Sequence, residues 1–443
     1  MKSDKRCPKD MSKALLEKFQ QAYKDLDLFP LVEAEDIEKF RVDYGRSVRI
    51  RLKQEIEASL LNGKFVFTGH RGCGKSTLLK QLAVEMQPNH AVILFSIADQ
   101  IEMSAVTHTN ILYAIAIQLL SYASRQKIKI ADDIRETLLG WNTTVRKQVA
   151  SEGAKESIGI GGKWFEAVSL MLQQEKSFRD ELETTFSKKI SDLVQKCDRI
   201  AAAIQTAKKQ QPVLVIIDDL DKLDLSLVES IFRDNVKSLF SPGFRIVFTI
   251  PVAAARETQI MSSLSSAGIV RPRIFPVAKF FSKADCHKFD AEPDPKYLNT
   301  FMQLLGKRIP DGLLEQETAR RIVLMSGGVV RETVRLAREC CLECMVQVDI
   351  DPEDETVAIN NEILTIALRN LRNDFDRQIG SDLYKILITV YETAETPDAC
   401  GAGFVQLLHG LMVLEYENDS IWYDVHPIVV ELLKQKQLIE IVS

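Results

Sequence analysis

Residues 69–77 read GHRGCGKST. A glycine, four residues, then Gly74, Lys75 and Ser76 is the spacing of a phosphate-binding loop. The glycines let the backbone curl, so that successive N–H groups face phosphate oxygens, and the helix that follows adds its positive end. Lys75 is expected to reach the β- and γ-phosphates, and Ser76 to hold Mg²⁺. The whole stretch, Gly69, His70, Arg71, Gly72, Cys73, Gly74, Lys75, Ser76 and Thr77, is the candidate nucleotide cradle. KFVFT (64–68) ahead of it reads as a strand, and STLLKQLAVEM has helical spacing. Strand, loop and helix in that order is the context the motif requires.

Working outward, AVILFS (91–96), PVLVII (212–217) and RIVFTI (245–250) are further short apolar runs, and RIFPV (273–277) is a weaker one. Near-continuous apolar strands separated by helices predict an α/β fold with a parallel sheet covered on both faces. LVIIDD supplies the partner of the loop. Asp218 ends a buried strand and is placed to bind Mg²⁺ through water; Asp219 is placed to orient or deprotonate an attacking water. The other reading is two solvated acids in a turn, since Asp221 and Asp224 follow closely.

The chain divides into four predicted parts. Residues 1–60 form an N-terminal helical segment, and 61–280 an ATPase-type core with a helical insertion at about 101–210. A helical lid (281–350) and a last unit (356–443) follow. In the insertion, Phe178, Leu182, Phe186, Ile190, Leu193, Cys197, Ile200 and Ile204 recur at steps of three or four. That is one apolar stripe on a long helix, packed on the core or receiving a partner helix. GIGGKWF (159–165) reads as a hinge, because no Gly-Lys-Ser/Thr follows its glycines. In the last unit, helices precede LMVLEYENDSIWYDV, two alternating segments about a polar turn, and then a helix. That order predicts a winged helix.

The formal charge of this 443-residue chain is -5, so the chain as a whole is no polyanion binder. The start has no signal-peptide pattern, and NILYAIAIQLLSYA reads as a buried helix, not a membrane span. The eight cysteines show no disulfide framework. Cys341 and Cys344 make a CxxC, but within a helical pattern and without a second pair, so they read as structural thiols. A cytoplasmic location without membrane contact is expected.

GHRGCGKST, LVIIDDLDKL, VFTIP, SGGVVRETVRLA and YENDSIWYDVHPIVVELL together resemble P-loop ATPases of the AAA+/STAND assemblage, near the bacterial branch that is similar to origin-recognition ATPases. The resemblance spans roughly 60–433, apart from the insertion. It implies ATP/ADP with Mg²⁺, a lid, homo-oligomers and a winged helix. It makes Arg331 the sensor-2 arginine that reaches the nucleotide, and Thr249 the sensor-1 polar residue. It makes Arg271 and Arg273 candidates for an arginine finger supplied to a neighbour. It makes His426 the histidine that holds ADP in STAND switches, although Pro427 stands where those proteins have aspartate. The second acid is Asp219 where many AAA+ enzymes have glutamate, and the shorter side chain suits a slow switch.

From Tyr391 to Leu433 there is no Lys or Arg, while Glu392, Glu395, Asp398, Glu415, Glu417, Asp419, Asp424 and Glu431 are acidic. Bringing that surface to phosphates would release no compensating counterions. The last unit therefore reads as a lid or protein-contact module, not a DNA reader. Arg46, Arg49, Arg51 and Lys53 are the basic group left to meet nucleic acid, and they read first as one face of a solvated helix. The expected function is a slow regulatory ATPase that controls a protein partner, with phage defence or signalling as its setting by analogy. The alternatives are an AAA+ loader or remodeller on DNA and, less well supported, a small-molecule kinase, for which nothing marks an acceptor.

Overall fold

The computed structural model describes residues 8–31, 34–142, 145, 163–269, 271–288, 290–354, 356–396, 401–417 and 420–440. The glycines of the expected hinge, 159–162, lie outside them. The chain forms two compact units. One comprises residues 47–69 and 78–274; the other comprises 1–46, 70–77 and 275–443.

The first unit is built on a parallel sheet. Its strands are β1 (Lys64–Gly69), β2 (Ala91–Ser96), β3 (Val213–Asp218), β4 (Arg245–Pro251) and β5 (Arg273–Phe275), in the order β2-β3-β4-β1-β5. β3 and β4 are buried along their whole length, which explains why they read as unbroken apolar runs. The register sets Ser96 opposite Asp218, and Gly69 opposite Pro251. Because the strands are parallel, Gly69, Ser96, Asp218 and Thr249 all fall at or next to their carboxyl ends. Ligands of open α/β sheets bind outside that edge.

The insertion packs on this sheet. Helix His108–Arg125 is buried nearly all round, as an interior helix without a polar face must be. The expected long striped helix is in fact two, Lys176–Phe186 and Ile190–Ala207, joined by a 3₁₀ turn at Ser187–Lys189. The polar Ser-Lys-Lys segment offers nothing to bury, and Lys189 leaves helical geometry with φ -130° and ψ 34°. The stripe survives the break. Phe178, Leu182, Phe186, Leu193, Cys197, Ile200 and Ile204 share one buried cluster with Val213, Val215 and Ile217 of β3, so the core-packing reading holds. Tyr113, Trp141, Phe178 and Phe186 make an aromatic group within it, with the Trp141 and Phe178 rings 4.9 Å apart. The hydroxyl of Tyr113 and the indole N–H of Trp141 both donate to Leu138 O, at 2.9 Å each. Two polar handles are thereby satisfied inside an apolar cluster.

In the second unit, helix Pro8–Asp25 packs on helix Val330–Ile350, where Arg338 lies 4.0 Å over the Tyr23 ring. The expected lid helix does not begin at 281. Residues 281–288 and 290–294 hold no helix, and the helix runs Pro295–Gly306 with Asp294 accepting from Lys296 N–H as its cap. Pro293 and Pro295 disfavour helix in the residues before them, and Pro295 suits the first helical turn. Helix Gln316–Met325 follows. Cys340, Cys341 and Cys344 are buried free thiols on Val330–Ile350, and burial pushes Cys341 up to about 12. They are packing residues.

Helices Asn361–Asp376, Tyr384–Thr393 and Gly401–His409 lead into an antiparallel hairpin, β6 (Val413–Glu417) and β7 (Ile421–Val425), and then helix Pro427–Gln435. Tyr416 and Trp422 face each other across the hairpin and stack at 4.6 Å. No described helix is long and apolar enough to cross a membrane.

Burial predicts the energetics of the insertion. Phe178→Ala removes a ring that is 2% exposed and is expected to cost about 3–5 kcal/mol. Leu170→Ala, at a side chain 51% exposed on the neighbouring helix, is expected to change stability by less than about 0.5 kcal/mol. Urea unfolding of the two variants beside the wild type checks the contrast.

Candidate functional site

At the carboxyl edge of the sheet, the turn after β3 is held by its neighbours. Asp218 Oδ1 accepts from the Asp219 N–H at 2.8 Å. Asp219 sits in the left-handed region at φ 69°, a conformation that Asp tolerates better than most residues. Asp219 Oδ2 accepts from Ser96 Oγ at 2.7 Å, and its Oδ1 pairs with Lys222 Nζ at 2.7 Å. Each oxygen thus has one partner. Thr249 is fully buried. Its hydroxyl accepts from Leu220 N–H at 3.0 Å and donates to Ile217 O at 3.2 Å, so it fastens β4 to the turn that carries both acids. One oxygen from each of Asp218, Asp219 and Asp221 lies within 4.8 Å of the others, an oxygen-rich group of the kind hard divalent cations take.

The phosphate loop belongs to the other unit apart from Gly69, which ends β1. Helix Lys75–Met86 begins at the loop lysine. Lys75 is 4% exposed, and its ammonium donates to His70 O at 2.8 Å. Gly72 has φ +80°, and a Cβ there would lie 2.5 Å from Arg331 Cβ. The position therefore excludes any side chain twice over. Arg331 N–H donates to Gly72 O at 2.9 Å. Two loop side chains reach further. His70 Nε2 accepts from the Glu415 N–H of β6 at 2.8 Å. Arg71 Nη2 stands 2.9 Å from His409 Nε2, and since a guanidinium only donates, His409 accepts there. Loop, lid helix and hairpin are thus joined at three adjacent residues.

The SGG segment organises the same neighbourhood. Gly328 has φ +81°, and a Cβ on it would overlap Ala278 O at 1.8 Å. Gly327 O accepts from Tyr416 Oη at 2.8 Å. Glu332, beside Arg331, is buried, and burial pushes its carboxyl above the usual range against the pull of Arg335 and Arg331.

Of the expected finger residues, Arg273 pairs with Glu55 through two contacts, Nε to Oε2 at 2.6 Å and Nη2 to Oε1 at 2.5 Å. Arg271 is exposed. His426 is fully buried as the N-cap of helix Pro427–Gln435, its Nδ1 accepting from Ile428 N–H at 3.2 Å. Its ring lies 5.1 Å from the Phe375 ring. Burial, then Arg335, lowers its pKa from 6.5 to about 3, so the ring is neutral. Ser96, Lys222, His409 and Glu415 were not anticipated as parts of either arrangement. Ser96 lies 123 positions from Asp219, His409 338 from Arg71 and Glu415 345 from His70, and no local pattern links such pairs.

Residues 44–234 match the family described as AAA ATPase domain. No curated protein matches the chain. Among solved structures, Cdc6p from Pyrobaculum aerophilum is similar at TM-score 0.38 and 11% identity, over 90% of this chain and 98% of that one. The Drosophila ORC bound to DNA is similar at TM-score 0.38 and 11% identity, over 94% of this chain and 91% of that one.

The buried cap gives a pH prediction. The folded pKa of His426 is about 3 against 6.5, so the unfolded chain takes up the proton first. This residue therefore destabilises the fold as pH falls from 6.5 towards 3 and has no effect above 6.5. His426→Asn keeps a capping acceptor but does not titrate. Its thermal midpoint is expected to fall less steeply than that of the wild type across this range, measured by circular dichroism from about pH 7 to 4.

Proposed function

We propose that the chain is an ATP-binding, slowly hydrolysing switch ATPase whose nucleotide state controls a protein partner. The observation that carries this reading is the joining of phosphate-loop residues His70, Arg71 and Gly72 to Glu415, His409 and Arg331. A loop that changes shape around phosphate has to disturb those contacts, so phosphate occupancy and the hairpin share one equilibrium. A ligand shifts such an equilibrium only by its differential affinity for the two states.

The residues fit ATP/ADP with Mg²⁺. The loop has glycines at positive φ, a helix N-terminus and a buried lysine; β3 ends in paired carboxylates. In this reading Lys75 neutralises phosphate, Ser76 and Asp218 hold the cation, and Asp219 orients water. Bound Mg²⁺ would supply charge neutralisation of the phosphate oxygens. Thr249 positions the acids through the backbone. Arg331 serves as the sensor of the lid. Arg271 and Arg273 are the finger candidates for a neighbouring subunit, and Arg273 would have to leave Glu55 to serve. His426 favours the ADP form from its buried junction. The slow rate follows from the two partners that hold the Asp219 carboxylate.

The hairpin and its helices act as a winged-helix protein-contact module in this reading, and phage defence or signalling is a fitting setting. A DNA loader or remodeller is the second reading. The basic helix Arg46–Ala58 favours it, but Arg49 is committed to Gln81 and to Glu85, at 3.1 Å from the latter.

Two experiments test the proposal. Lys75→Ala is expected to abolish measurable ATP binding by calorimetry. Asp219→Asn is expected to keep binding and lower phosphate release at least tenfold. Asparagine tolerates the left-handed turn, so this variant tests the carboxylate and not the fold. Unchanged hydrolysis would remove Asp219 from its role.

For the switch itself, His409→Ala removes the acceptor of Arg71. It is expected to change the ratio of ADP to non-hydrolysable ATP affinity by about fivefold or more, within the ordinary span of coupling energies. Equal affinity changes for both nucleotides would leave an ATPase without this coupling.

A further inference from the structure

Away from the phosphate loop, Cys286, His287 and Asp424 bring a sulfur, an imidazole nitrogen and a carboxylate oxygen within 4.8 Å of one another. Cys286 and His287 lie in the turns that precede helix Pro295–Gly306, and Asp424 lies on β7. All three belong to the same compact unit. We propose that they form a binding site for a borderline-soft divalent cation, with Zn²⁺ as its natural occupant.

The geometry favours a shared third point over a simple ion pair. His287 Nε2 is 3.2 Å from Asp424 Oδ1. Yet this buried nitrogen makes no hydrogen bond of good geometry among the described residues. Two ligands of one tetrahedral zinc, each about 2.0–2.1 Å from the metal, stand about 3.3 Å apart and both point to the metal instead of to each other. Thiolate, imidazole and carboxylate are the three ligand types zinc takes, and a thiolate selects against Mg²⁺ and Ca²⁺.

The surroundings hold the donors in place. The Tyr391 ring packs on His287 with centroids 4.1 Å apart. Cys286 packs against the cluster of Val277, Val329, Leu414, Tyr416 and Trp422. Asp424 Oδ1 also accepts from Val425 N–H at 2.7 Å, which orients the carboxylate as an outer partner of a ligand does. Cys286 Sγ now donates to Lys283 O at 3.3 Å, and ligation would exchange that weak bond for a metal–thiolate bond, releasing the proton. Three protein donors leave a fourth position for water. The cation would clasp a turn without regular secondary structure to the strand that leads directly into His426.

The test uses the full chain, stripped with a chelator and free of nucleotide, titrated with Co²⁺ as a spectroscopic stand-in for Zn²⁺. One equivalent is expected to bind with a thiolate-to-cobalt charge-transfer band and four-coordinate visible bands, and Zn²⁺ is expected to displace it. Cys286→Ser should abolish the charge-transfer band. His287→Gln and Asp424→Asn should each weaken binding more than about 100-fold, since even outer partners of metal ligands cost about 10- to 100-fold. Zn²⁺ should raise the thermal midpoint of the wild type and not of Cys286→Ser. Asp218→Asn should leave the titration intact, separating this site from the phosphate-binding one. Failure to bind one equivalent, or a charge-transfer band that survives Cys286→Ser, would overturn the proposal. It would leave His287 and Asp424 as a proton-mediated pair. If Cys286→Ser does not fold, His287→Gln decides between the same two outcomes: weakened binding supports the site, and unchanged binding overturns it.

Discussion

Everything in the second unit turns on the close approach of Gly72 to Arg331. The loop glycine has no side chain and a positive φ, so the first turn of helix Val330–Ile350 seats directly on it and donates a backbone N–H to its carbonyl. A methyl group at that point would collide with the Arg331 side chain. From this contact the loop's next neighbours follow. His70 meets the hairpin and Arg71 meets His409 because the helix that touches Gly72 starts at the SGG segment, on which the hairpin's Tyr416 also rests. One of these contacts joins main chain to main chain, and the others each depend on a side chain: His70, the Arg71–His409 pair and Tyr416.

The sheet edge is governed by a different constraint. Parallel strands align their carboxyl ends, and the left-handed residue at Asp219 turns the chain directly after Asp218, leaving the carboxylates of Asp218, Asp219 and Asp221 grouped there. Ser96 and Lys222 each hold one oxygen of the Asp219 carboxylate.

The acidity of the C-terminal unit takes on a finer grain in the fold. Glu415 is buried, with its backbone turned to His70. Asp424 faces His287, and Glu395 pairs with Lys283 at 3.0 Å. Glu415 and Asp424 are therefore turned largely into the chain, while Glu395 stays exposed beside Lys283, so only part of the acidity counted in the sequence faces solvent. The inward-facing donors at Cys286, His287 and Asp424 belong to this internal share.

Strand identity, strand boundaries to within a residue or two, and the phosphate loop were legible in the sequence. They rest on local rules: apolar continuity, the spacing Gly74-Lys75-Ser76, and acids at a strand end. The stripe from Phe178 to Ile204 was legible as a buried face. Its break at Ser187–Lys189 was not, because a 3₁₀ turn preserves steps of three or four. Arg273 reads as an available cation in the sequence, but Glu55, 218 positions away, holds it in the fold. The partners of His70, Arg71 and Asp219, and the convergence of Cys286, His287 and Asp424, lay outside any reading of local pattern. Sequence by itself determined which segments are strands, where the glycine-lysine-serine loop lies and which acids end a strand, because those follow from backbone and neighbour chemistry within a few residues. Only the tertiary structure decided which side chains are already engaged and which elements touch the loop, because such contacts depend on how segments far apart in the chain fold onto one another.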